Sequence, residues 1–237
     1  MTQFSTVELS APGMTRMQEL ASRMWLPMFA MGLMVLIASL VIGVVESTLT
    51  ADLFDLDKAT REGANATSST LDKQQFIEST QLWQPRFQLL GMGLMFGGIT
   101  FLLATILGNL RLYGGLVQEK SGRKVLALTP PWSAQVFPMA MMAGLMVLIV
   151  SLVISVIVAF TAGDVYDNPI STINGAGAGS GLLDDFQTVK TFGTWLQSVA
   201  FVGLALVLSA IVLALYTIAQ VLRFQHERIA QLAEGAE

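Results

Sequence analysis

Four stretches of this sequence carry no charged side chain: Trp25 to Val45, Phe87 to Leu110, Val136 to Gly163 and Leu196 to Leu222. Each reaches the roughly 20 residues that a helix rising about 1.5 Å per residue needs to cross ~30 Å of hydrocarbon. A helix in a water-soluble core rarely stays apolar on every face for that long. The expectation is an all-α integral membrane protein with four transmembrane helices, at about 25–45, 87–110, 136–160 and 197–222. Charged residues make up 13% of the chain, about half the share of an ordinary soluble domain. The first apolar run begins only after 24 residues and is too long for the apolar region of a cleaved signal, so it is expected to remain as an anchor.

The spans also repeat. Gly32 to Val45 reads GLMVLIASLVIGVV, and Gly144 to Ile157 reads GLMVLIVSLVISVI, with 11 of 14 residues identical at an offset of 112. At the same offset Asp52 and Asp55 fall on Asp164 and Asp167, Asp72 on Asp184, Trp83 on Trp195, Gly91 on Gly203 and Arg111 on Arg223. Apolar helices resemble one another by chance; matches at Trp, Asp and Arg in one register through a loop do not arise so easily. The sequence therefore reads as a tandem duplication of a two-helix hairpin, with the copies related by a pseudo-twofold axis along the membrane normal.

The organisation that follows has a cytoplasmic segment at 1–24, a first hairpin at 25–119 with an outer loop at 46–82, and a linker at 120–135 stiffened by Pro130-Pro131-Trp132. A second hairpin at 136–223 has its outer loop at 161–194, and 224–237 form a helical tail. Met14, Met17, Leu20, Ala21 and Met24 recur at helical spacing beside Arg16, Glu19 and Arg23, which predicts a short amphipathic helix on the inner surface. Ser69 is the expected N-cap of a helix over Ser69–Trp83, with Asp72 three positions on. In the tail, Glu227 can pair with Arg223 one turn away. The glycine-rich NGAGAGSG at Asn174–Gly181 reads as a flexible connection and lacks the Gly-Lys-Ser/Thr of a phosphate loop. Asn65-Ala-Thr67 matches a glycosylation sequon.

Charge sets the orientation. Eight basic residues fall on the side of the termini and the linker, and five on the other side together with eleven acidic ones. Lys and Arg near span ends favour the cytoplasm, so both termini are expected there, in a prokaryotic inner membrane. Trp25 and Trp132 are expected to anchor the inner interface, and Trp83 and Trp195 the outer one. Spans associate through small residues. The candidate packing positions are Ser39 and Gly43 in the first span, Gly93 and Gly97 in the second, Ser151 and Ser155 in the third, and Ala205 and Ser209 in the fourth.

Candidate chemistry is sparse. Asp52, Asp55, Asp164 and Asp167 stand at equivalent outer ends of the first and third spans. They could offer oxygen ligands to a hard cation if symmetry gathered them, or simply form solvated helix ends. Met24, Met28, Met31 and Met34, with Met139, Met141, Met142 and Met146, could offer thioethers to Cu(I), or fill gaps and face lipid. Thr100, Thr105, Asn109, Tyr216, Thr217 and Gln220 could line a vestibule or bond to backbone.

The spans hold no ionisable residue, the usual mark of ion paths and proton relays. The chain has no cysteine and a single histidine, His226, in the tail. A net charge of −4 without a dense basic patch argues against nucleic acid, and no nucleophile–base pair is visible. These features predict a non-catalytic accessory subunit without a cofactor, whose partners are other integral membrane subunits and lipids. A small channel or transporter for a neutral or apolar solute comes second, a copper-handling protein third, and a metal-dependent or lipid-modifying enzyme last.

Overall fold

A computed structural model describes residues 6–8, 15–63, 66–122 and 124–234, the side chains at 232–234 excepted. Met14, Asn65, Arg123 and Gly235 lie outside the described residues. In chain order the elements are a strand β1 (Thr6–Glu8), helices α1 (Arg16–Phe54), α2 (Lys58–Glu62) and α3 (Ser68–Lys120), a strand β2 (Leu126–Leu128), and helices α4 (Trp132–Tyr166), α5 (Ile170–Asn174) and α6 (Gly181–Glu234). Among the described residues four helices, α1, α3, α4 and α6, are long and apolar enough to cross a membrane. The molecule is built as an integral membrane protein that is mostly α-helical.

The helices run well past the charge-free stretches. Much of the segment 46–82, expected as a polar loop, is helix: α1 continues to Phe54, α2 occupies Lys58–Glu62, and α3 begins at Ser68. The Gln-rich run from Lys73 to Gln81 holds no Gly or Pro, and α3 runs on through Pro85 into the apolar region. Residues 16–24 likewise form the first turns of α1 rather than a separate interfacial helix. The α3 cap is Thr67, not Ser69. The Thr70 N–H donates to the Thr67 hydroxyl at 3.3 Å and the two hydroxyls meet at 2.9 Å. Asp57 caps α2 by accepting the Thr60 N–H at 2.9 Å and the Thr60 hydroxyl at 2.8 Å. These contacts hold the Asp57 carboxyl below its ordinary pKa. Arg61 does the same for Glu62, donating to it at 2.7 Å.

The chain divides into two compact units, and each long helix contributes to both. The first comprises Met1–Met31, Leu94–Gly144 and Ala205–Glu237. Here β1 and β2 pair antiparallel, Thr6 opposite Leu128 and Glu8 opposite Leu126, a strand pairing absent from the all-helical expectation. Lys124 and Glu8 meet beside it at 3.1 Å. At Gly98 the backbones of α1 and α3 come close together. A Cβ there would stand 2.9 Å from the Phe29 backbone nitrogen and 2.9 Å from the Trp25 carbonyl oxygen, so only glycine lets α1 and α3 touch.

The second unit comprises Gly32–Gly93 and Leu145–Leu204. Gly93 receives Leu148, whose Cδ1 would lie 2.3 Å from a Cβ at that position. Gly91 similarly seats Leu36 and Val35 of α1, each 3.0 Å from such a Cβ. An apolar cluster of Val158, Ala162, Val165, Tyr166, Ile173 and Val189 closes the far end. Lys190 lies over the Phe186 ring at 5.3 Å and the Tyr166 ring at 5.9 Å.

Between Leu196 and Thr217 the buried positions of α6 are Leu196, Ala200, Gly203, Val207, Ala210, Ala214 and Thr217. The alternation of four and three residues is the 3.5-residue period of left-handed helix packing, here made shallow by Ala and Gly. Ala205 and Ser209 are off this seam and exposed. Ser209 bonds its hydroxyl back to the Ala205 carbonyl at 2.8 Å. The other six packing candidates fare differently. Ser39, Gly93, Gly97, Ser151 and Ser155 are buried, and Gly43 is half-buried, with Gln84 Nε2 2.9 Å from where its Cβ would stand.

Candidate functional site

The four aspartates are not gathered into one cluster. Among the described residues no three of His, Cys, Asp and Glu come together. Asp52 pairs instead with Lys73 at 3.3 Å, while Asp55, Asp164 and Asp167 are exposed. The methionines do not converge either. Met28 and Met141 are buried, but Met24, Met31, Met34, Met139, Met142 and Met146 stand exposed on α1 and α4, where thioethers face outward. Trp25 and Trp83 are half-buried, the latter edge-on to Phe87 at 5.7 Å between ring centroids, whereas Trp132 and Trp195 are exposed. No ion pair joins Arg223 to Glu227 among the described residues; Arg228 donates to the side-chain Oε1 of Gln231 at 2.7 Å.

Polar groups in the spans are mostly consumed by backbone. The hydroxyls of Thr100, Thr105 and Thr217 donate to the carbonyls of Phe96, Phe101 and Leu213, at 2.9, 2.9 and 2.8 Å. Thr217 also meets the Ser133 hydroxyl at 2.8 Å, tying α4 to α6 in the first unit. In the second unit Arg86, 4% exposed, donates to the carbonyls of Leu82 and Gly193, both at 2.6 Å, and so ties α3 to α6. It lies one residue before the charge-free stretch, which explains why a search for charges within the spans misses it.

The first unit encloses a cavity of about 210 Å³. Its walls come from α1, α3, α4 and α6, and its cover from residues 125–131, which include β2. Gln118 holds that cover in place. Its side-chain amide donates to the Leu126 carbonyl at 3.1 Å and its Oε1 accepts the Leu126 N–H at 2.9 Å, the two bonds a neighbouring strand would make. On the α6 side, the Gln225 amide donates to the Leu110 carbonyl, and Gly114 leaves the room it needs. Thr100 and Thr217 reach this cavity; Thr105, Asn109, Tyr216 and Gln220 do not line it. Its charged lining residue is Arg111, the first charge after the stretch ending at Leu110, and among the described residues no Asp or Glu lines it. The Arg111 Nε is buried and without a hydrogen-bond partner. A single glutamine eight residues before its own strand partner has no periodic signature, so the clamp that forms the cavity is not visible in the sequence. Compared with protein families, with characterised proteins and with solved structures, the chain matches none.

Proposed function

We propose that this protein is a non-catalytic accessory subunit of a larger integral membrane assembly, built from a duplicated two-helix hairpin and acting through helix contacts. Paired contacts 112 positions apart support the duplication. The Gln84 amide donates to the Ser39 carbonyl at 3.1 Å; at the equivalent positions the Ser151 hydroxyl donates to the Leu196 carbonyl at 3.3 Å. Leu53 and Val165 are both buried, as are Ile77 and Val189.

One difference between the copies carries the functional reading. On α3 the face made by Leu89, Gly93, Gly97, Thr100 and Ala104 is buried, with Leu148 of α4 seated at Gly93. The equivalent α6 face, Phe201, Ala205, Ser209, Val212 and Tyr216, is exposed at every position. Where the first copy has the Gly93 and Gly97 notch, this face has Ala205 and Ser209, still small, and nothing among the described residues covers them. A closed twofold pair of hairpins would cover this face with α1, yet only 11% of the most apolar stretch of α1 is buried. A helix of another membrane subunit completes the arrangement. Since lipid tails are as apolar as leucine, close approach at small residues is what favours a helix over lipid there. The charge balance of the flanks supports cytoplasmic termini in a prokaryotic inner membrane.

Native mass spectrometry of gently extracted membranes tests this. The expected result is an assembly of fixed stoichiometry containing this chain, depleted by Ala205→Phe, which blocks the notch from an exposed position. A monomer that survives alone, with or without the substitution, contradicts it.

A further inference from the structure

The cavity of the first unit has the chemistry of an amphiphile site, and its assignment stands independently of any subunit role. Its lining is apolar over most of its surface, from Phe101, Ala104 and Leu107 on α3 to Phe137 and Met141 on α4. An apolar cavity of about 150 Å³ already holds a benzene ring, so about 210 Å³ accommodates a short run of methylenes. The space communicates with the exterior, because Met17 and Pro130 line it and are exposed. At one edge stands Arg111, which makes no ion pair among the described residues and whose Nε is buried without a partner. A buried donor without an acceptor is costly, and more so when charged. Arg111 also follows 24 uncharged residues on α3, which puts its guanidinium where a membrane helix meets headgroups.

We propose that this cavity binds an amphiphile, with an acyl segment among the apolar walls and an anionic head on Arg111. A carboxylate or a phosphate would meet the planar guanidinium through charge-assisted hydrogen bonds. A neutral amphiphile with the same tail would fill the walls and leave the Arg111 charge without a counter-ion. Gln118 is a positioning residue here, holding 125–131 over the acyl segment.

Adduct titration of the detergent-purified full chain by native mass spectrometry tests the site, using dodecanoate, dodecanol and phosphatidylglycerol. The wild type should retain dodecanoate or phosphatidylglycerol at least ~10-fold better than dodecanol, the range expected for a charged hydrogen bond. Stronger retention of phosphatidylglycerol identifies a lipid phosphate as the head; stronger retention of dodecanoate identifies a free carboxylate. Arg111→Gln should abolish the preference, Arg111→Lys should keep most of it, and Ala134→Phe, which fills the cavity from α4, should reduce every adduct. Thermal melts separate loss of fold from loss of site, and if Arg111→Gln does not fold, the Arg111→Lys and Ala134→Phe arms decide. Equal retention of dodecanoate and dodecanol by the wild type, or undiminished binding in folded Ala134→Phe, overturns the proposal.

Discussion

Single glycines decide how closely these helices approach. Gly98 faces backbone atoms of α1 that cannot retreat, whereas a Cβ at Gly177 meets nothing within 4 Å. Gly98→Ala should therefore lower stability by about 1–3 kcal/mol, the usual cost of overpacking, while Gly177→Ala should leave it nearly unchanged. Thermal unfolding of both variants in one detergent checks this, and equal melting temperatures would refute the contact. Gly93 and Gly97 were legible in the sequence because their four-residue spacing marks one helix face. Gly98 was not, because α3 is buried on two faces and the motif describes only one of them. Ala205 and Ser209 show the converse: correct residue types at the correct spacing, on a face this chain leaves exposed. Spacing identifies a face that can pack, and only the surroundings say whether it does.

At the scale of elements, the apolar runs located the spans, because no soluble helix stays uncharged for so long. Their ends were not legible, since the helices continue through polar residues and, at Pro27, Pro85 and Pro138, through proline as well. The connections rest on side-chain contacts that can be tested singly. Gln118→Leu removes both bonds to Leu126 and leaves its N–H without that partner, at a cost of about 1–3 kcal/mol. Limited proteolysis should then cut within 121–131 much faster than in the wild type; unchanged cleavage would show that β2 is held otherwise. The α2 cap carries a pH dependence. Because Asp57 is held below its unfolded pKa of about 3.9, its contribution is complete above that value and is lost as pH falls through the lower folded pKa. The Thr60 amide resonance should titrate with a midpoint below about 3.9, and a midpoint at or above that figure would show that the cap is not formed.

For the whole molecule, the repeated residues at an offset of 112 are legible, while the difference that matters most to the proposed duplication is not. The two segments share residues at many equivalent positions, but the first buries on α3 the face that the second exposes on α6. Sequence alone could not reveal this, because burial depends on which helix fills each groove, although the exposed face does carry larger side chains, Phe201, Val212 and Tyr216 where the buried one has Leu89, Thr100 and Ala104. On the proposed reading, the exposed face with Ala205 and Ser209 flanked by Phe201, Val212 and Tyr216 is where another helix docks. Site-specific photocrosslinking from Val212, 65% exposed on that face, measures this in intact membranes, with Phe160 of α4, 74% exposed, as the reference position. A probe at Val212 should give one defined protein–protein adduct that Ala205→Phe abolishes, while the probe at Phe160 should give lipid adducts. Lipid adducts alone from Val212, identical to those from Phe160, would mean that the α6 face meets only the bilayer and that the protein does not act by helix contact there.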